Sequence, residues 1–143
     1  WYNRGLCSFN LGDMANALTD FNEAVKLDSL QFDYFESRGA ALAAMERYEQ
    51  AIDDFTRAGS MQPGSPEPVL NTGLAFLYLK NYSEAIKAYD KALELSPEHP
   101  EALVSRGIAR HYAGDPAGAC DDWKEALKVG SEKANNYLLK YCR

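Results

Sequence analysis

The sequence holds two histidines, three cysteines and no apolar run of the length a membrane-spanning helix needs, and each shortage closes off a class of function. Without about 18 consecutive apolar residues no helical membrane span is expected, and no charged-then-apolar leader opens the chain. Cys7, Cys120 and Cys142 are an odd number with no CxxC spacing, so they signal neither a disulfide framework nor a zinc site. On that ground a reducing, cytoplasmic compartment is favoured over the periplasm or elsewhere. Basic residues are also scarce, 15 Lys and Arg against 21 Asp and Glu for a net charge of −6. That balance excludes sequence-independent binding to phosphate backbones and docking on anionic lipid, so neither nucleic acid nor membrane is an expected partner. No segment alternates with period two over a useful length, which leaves strands without support. What is present, 46% hydrophobic and 25% charged residues, lies in the globular range and excludes disorder. Trp1 stands where an initiator Met would and already lies inside a helical pattern, so the chain reads as a piece of something longer or as a processed product.

Aligning the sequence with itself exposes a period of 34 residues. Gly5, Gly39, Gly73 and Gly107 recur at that step, as do Ala17, Ala51, Ala85 and Ala119, and Ala24, Ala58, Ala92 and Ala126. An aromatic column reads Phe21, Phe55, Tyr89 and Trp123, and a bulky apolar column reads Trp1, Phe35, Val69, Leu103 and Tyr137. Each unit carries two helical patterns around a short break, marked by Gly12-Asp13 and Gly114-Asp115-Pro116 within units and by proline-rich joints such as Gln62 to Pro66 and Ser96 to Pro100 between them. Asp115 is placed to cap the helix that Pro116 opens. Gly73 and Ala85 fall on opposite helices of one pair and let them approach, leaving the Tyr89 ring to pack against the neighbouring pair. A larger residue at Ala85 is expected to overpack the contact at about 1–3 kcal/mol.

These columns resemble the tetratricopeptide repeat. The signature reads Trp1-x-x-Arg4-Gly5 through Ala17, Phe21 and Ala24, then Phe35-x-x-Arg38-Gly39 through Ala51, Phe55, Ala58 and Pro63. It continues as Val69-x-x-Thr72-Gly73 through Ala85, Tyr89, Ala92 and Pro97, and as Leu103-x-x-Arg106-Gly107 through Ala119, Trp123 and Ala126. The residue before each glycine, usually leucine in the family, is Arg4, Arg38, Thr72 and Arg106 here, a variant that looks bacterial. The resemblance implies an all-α fold, a right-handed α-solenoid of four helix pairs over about 1–31, 32–65, 66–99 and 100–131, forming a single domain over 1–143. A capping helix at 132–142 is expected to start at Ser131 and to cover the last pair with Tyr137, Leu138 and Tyr141. The first pair has no such cover, so its outer side is expected to be solvated, self-associated or hidden by further residues.

A catalytic reading finds no converging nucleophile and base. His99 lies in a joint between units, and His111 has no thiol at a metal-ligand spacing, so no enzyme activity, metal or cofactor is expected. Cys120 aligns with Leu18, Ile52 and Ile86, and Cys7 with Ala41, Ala75 and Ala109, which makes both inert core residues and Cys142 the accessible thiol. The carboxylates of Asp53-Asp54 and Asp121-Asp122 point about 100° apart on a helix and do not converge, so a solvated face is expected for them.

What remains is a second stripe on each first helix. It comprises Tyr2, Leu6, Phe9 and Asn10 in the first unit and Asp33, Glu36 and Ala40 in the second. Glu67, Leu70, Asn71, Leu74 and Tyr78 follow in the third, and Glu101, Ser105, Ile108, His111 and Tyr112 in the fourth. In the resembling family this stripe lines a concave groove that binds segments of other proteins. Here it is apolar, rimmed by Asp33, Glu36, Glu67 and Glu101, and free of Lys and Arg, a character suited to a hydrophobic, basic partner segment. One subclass of the family grips a C-terminal carboxylate with Lys, Asn and Arg. Its five places fall here on Glu36, Ala40, Asn71, Glu101 and Ser105, of which only Asn71 fits, so such a clamp is not expected. The expectation is a non-catalytic interaction module or scaffold. The alternative is a structural unit that forms homo-oligomers through its uncapped first repeat.

Overall fold

In the computed structural model, which describes residues 1–142, the helical patterns fold as nine helices with no strand among the described residues. They run α1 Tyr2–Asn10, α2 Met14–Leu27, α3 Phe32–Ala44, α4 Tyr48–Met61, α5 Glu67–Tyr78, α6 Tyr82–Leu95, α7 Pro100–Tyr112, α8 Pro116–Lys128 and α9 Glu132–Tyr141. Each packs chiefly on the helices before and after it. Four pairs and a final single helix therefore stack as an α-solenoid. The core is a row of local clusters along that stack, because each pair buries its apolar face only against its neighbours.

The glycine column is the closest point of each pair. A Cβ added at Gly5, Gly39 or Gly73 would lie 2.8, 2.7 or 2.8 Å from the ring of Phe21, Phe55 or Tyr89, and one at Gly107 would collide with Trp123. The aromatic thus rests on the glycine of its own pair, and the Tyr89 ring also meets Ala109 of α7, in the neighbouring pair, as expected. Ala17, Ala51, Ala85 and Ala119 are fully buried beside these rings.

Turns within the pairs share one geometry. Gly12, Glu46, Lys80 and Gly114, again 34 apart, all take positive φ, and the next residue donates its amide back to Ser8, Leu42, Phe76 and Arg110, respectively. Asp13, Asn81 and Asp115 then cap the second helices by accepting from Asn16, Glu84 and Gly118. Ser131 occupies the N-cap position of α9, but its side chain makes no capping bond.

The arginines before the glycines explain a second correction. Asp54 and Asp122 are buried, not solvated, while their neighbours Asp53 and Asp121 are exposed. Arg38 donates two bonds to Asp54 at 2.7 Å, and Arg106 binds Asp122 at 3.0 and 2.6 Å. Arg4 and buried Asp20 repeat the pairing at 2.7 and 2.6 Å. Arg38 also reaches Asn22, and Arg106 reaches Asp90, on the second helix of the preceding pair, so each of these guanidinium groups ties two pairs together. The third unit has Thr72 and Ala88 at these places. Thr72 turns its hydroxyl back to the carbonyl of Pro68, and a hollow of about 450 Å³ opens beside Ala88.

The cysteines behave differently from expectation. Cys120 on α8 and Cys142 just beyond α9 form a disulfide, their Cα atoms 5.8 Å apart. Cys120 belongs to a half-buried column that faces the following helix, and α9 brings the chain back across that face. The bond removes the cysteine-based argument for a reducing compartment. Cys7 is the free and exposed thiol, whereas the other members of its column, Ala41, Ala75 and Ala109, are buried. No helix among the described residues is long and apolar enough to cross a membrane.

Candidate functional site

The stack uses one side of every first helix for packing and leaves the other side as an inner face. Two adjoining hollows lie on it, both lined by Asn71 and Leu74 of α5. The first, of about 400 Å³, has a floor of Ala40, Ala43, Ala44 and Ala75, with walls from Leu74, Tyr48 and Tyr78. Alanines on α3 provide the depth that larger side chains would fill. The second, of about 350 Å³, gathers Glu36, Glu67 and Glu101 from three successive first helices, together with Leu70, His99, Ser105 and Tyr89. Neither hollow is lined by a Lys or an Arg.

Two of the acids are shifted, in opposite directions. Burial pushes the Glu36 carboxyl above the usual carboxylate range, and the charges of Glu67 and Asp33 add to the effect. Glu67 is held below that range, mainly because the Ser65 hydroxyl donates to it at 2.5 Å. Tyr89 is buried with its hydroxyl unpaired; Ser105 on α7 stands beside it but completes no bond of normal geometry. Burial pushes this phenol upward, so it stays protonated. His99 caps α7 by accepting the Ala102 amide on Nδ1. No group of three or more His, Cys, Asp or Glu side chains among the described residues is arranged to hold a metal ion.

Of the stripe read from sequence, the hollows bring together Glu36, Ala40, Glu67, Leu70, Asn71, Leu74, Tyr78, Glu101 and Ser105. Asp33 is exposed at the acidic end. The first and last units contribute less. Tyr2 bonds Ser37 at 3.1 Å and packs on Tyr34 and Phe21, with Leu6 and Phe9 beside it, so these three join α1 to its neighbours, and Asn10 lies exposed at the helix end. Ile108 packs into the last core cluster. His111 stands 4.4 Å from the Tyr141 ring and its buried Nδ1 has no partner, so the cap helix covers this residue and takes it out of the open groove. Tyr112 stacks on Tyr82 at 5.5 Å, as Tyr78 does on Tyr48 at 5.1 Å.

The stripe read from sequence did not include Tyr48, Tyr82, Tyr89 and His99. The tyrosine pairs carried a visible signal, since both partners recur at the 34-residue step. The aromatic column places Tyr89 in packing alone, and in the structure it also lines the second hollow.

Known proteins share this repeat over part of the chain, and solved structures share its fold. The family described as Tetratricopeptide repeat matches residues 1–29 and 70–99. Hsp70-Hsp90 organizing protein 3 of Arabidopsis thaliana is 37% identical over 51 residues, 36% of this chain and 9% of that protein. The chain spans under a tenth of the length of the curated relatives it matches. Among solved structures, MamA from Desulfovibrio magneticus RS-1 superposes with a TM-score of 0.85 at 24% identity, covering 90% of this chain and 72% of that one, and shows the same fold. The first TPR domain of Spaghetti (RPAP3), bound to the HSP90 peptide SRMEEVD, has a TM-score of 0.74 at 25% identity, covering 80% and 93%.

Proposed function

We propose that this chain, which belongs to the tetratricopeptide-repeat family, is a non-catalytic interaction module that holds a hydrophobic, basic segment of a partner protein along its inner face. The observation that carries the reading is the pair of joined hollows, one floored by alanines and one ringed by three glutamates, without a cation in either lining. An apolar anchor and a positive charge on one segment satisfy both. The acidic peptide in the RPAP3 complex has the opposite character, and Glu36 and Glu101 stand here where a carboxylate clamp would require cations. A calorimetric screen of basic-hydrophobic peptides tests the reading. Leu74→Asp and Glu67→Lys are each expected to weaken the best peptide at least tenfold, and unchanged affinity in both would refute it.

A further inference from the structure

We propose that the hollow beside Ala88, on the outer side of the stack, docks a segment of a partner protein that carries an apolar side chain next to a carboxylate. This surface is separate from the inner face, and the segment it fits has the opposite charge.

The hollow exists because the third unit departs from the repeat. In the second and fourth units an arginine binds an aspartate sixteen residues on and an Asn or Asp sixteen residues back. Around Thr72 those two places hold Ala88 and Thr56, so no ion pair fills the seam between α4 and α6. Gly59 on α4 deepens it. That position carries Val25, Leu93 and Leu127 in the other units, and a Cβ added at Gly59 meets only Pro68, at 3.5 Å. At about 100° per residue, Val69, Thr72 and Phe76 lie on the opposite side of α5 from Asn71, Leu74 and Tyr78 of the inner face.

The floor is apolar and one edge is cationic. Phe55 and Pro68 are buried beneath the opening, while Val69 and Phe76 are half-buried, so a partner's apolar side chain would remove their remaining surface from water. Lys87 and Lys91 stand one turn apart along α6. Lys87 is held by Glu84 at 2.7 Å, whereas Lys91 makes no ion pair among the described residues. Its ammonium is left to select a carboxylate, and the acid-ringed hollow of the inner face selects the reverse. Ala88 and Lys91 are about 4.5 Å apart along the helix axis. In an extended segment, residues i and i+2 share a face at about 7 Å, a difference the flexible lysine stem takes up.

The test uses the whole chain, isotopically labelled, titrated with the acetylated and amidated peptide Gly-Leu-Ser-Glu-Gly and with its glutamine counterpart. The glutamate peptide is expected to shift the amides of Gly59 and Ala88 and to bind about threefold more tightly than the glutamine peptide, the margin an exposed ion pair supplies. Lys91→Glu is expected to erase that margin. Gly59→Leu, which restores the kind of side chain the other units carry, is expected to melt no lower than the parent and to bind the glutamate peptide roughly fivefold more weakly. A packing defect would not separate stability from binding in this way. The proposal is overturned if the two peptides bind alike, or if neither moves Gly59 or Ala88 at millimolar concentration. Shifts at these two amides that grow with protein concentration in the absence of peptide would give the surface to a second copy of the chain and overturn it as well. The inner-face reading is untouched by any of these results, because its own test reads Leu74→Asp and Glu67→Lys.

Discussion

At the scale of single residues, the tightest constraint is the space over the repeated glycines. Gly39→Ala would bring a methyl to 2.7 Å from the Phe55 ring, which is buried and cannot swing away. Overpacking of this kind costs about 1–3 kcal/mol. A urea titration is expected to show that loss for Gly39→Ala and almost none for Gly64→Ala, whose added Cβ meets nothing within 4 Å. The turn column gives the opposite sign. Lys80 holds φ at 58°, a conformation that Gly12 and Gly114 adopt in the corresponding turns without a Cβ penalty. Relief of that penalty exceeds the extra chain entropy of glycine by a small margin, so Lys80→Gly is expected to stabilise by about 0.5 kcal/mol, read as a rise in thermal midpoint. The glycine column was legible from spacing alone, because a residue that only glycine can be recurs visibly. The partners of the arginines were not, since Asp20, Asp54 and Asp122 lie sixteen residues further on and a helical wheel of either helix alone shows them as polar.

At the scale of helices, the arginine pairs act as rivets, and the third unit lacks one. Arg38→Ala would leave Asp54 buried and unpaired, and such losses cost about 3 kcal/mol or more. In the third unit the reverse experiment is available. Thr72→Arg and Ala88→Asp are each expected to destabilise singly, while the double variant recovers the loss, giving a favourable coupling energy of about 1 kcal/mol or more in a denaturation cycle. Additive effects would mean that the hollow by Ala88 does not admit the pair. The cap helix illustrates what sequence could not show. Its existence and its apolar face were legible from Tyr137, Leu138 and Tyr141, and these do pack on the last core cluster. The bond between Cys120 and Cys142 was not, because two cysteines 22 residues apart meet only once the crossing of α8 and α9 is known. Closing a loop of that length contributes about 3 kcal/mol. Cys142→Ser is therefore expected to lower the melting temperature to the value the parent shows in reductant, with faster amide exchange concentrated in α9.

At the scale of the whole molecule, the charge of −6 acquires a location, and with it a pH dependence. Glu36 faces Glu67 and Asp33, and the same hollow holds Glu101 and His99. Because burial and the charges of Glu67 and Asp33 raise its carboxyl, the free protein binds a proton there more tightly than the unfolded chain does. Its contribution to stability is thus greatest below the unfolded carboxylate range and is lost as pH rises through the folded value. Binding of a cationic segment runs the other way. A positive charge beside Glu36 favours its ionised form and lowers the carboxyl, so affinity increases with pH between the bound and free values and levels off above them. Stability and affinity should therefore change in opposite directions across one acidic window. Calorimetry in two buffers of different ionisation enthalpy is expected to find protons released on binding in that window, and Glu36→Gln to abolish most of the release. If the release persists unchanged in Glu36→Gln, this half-buried glutamate does not govern the pH response.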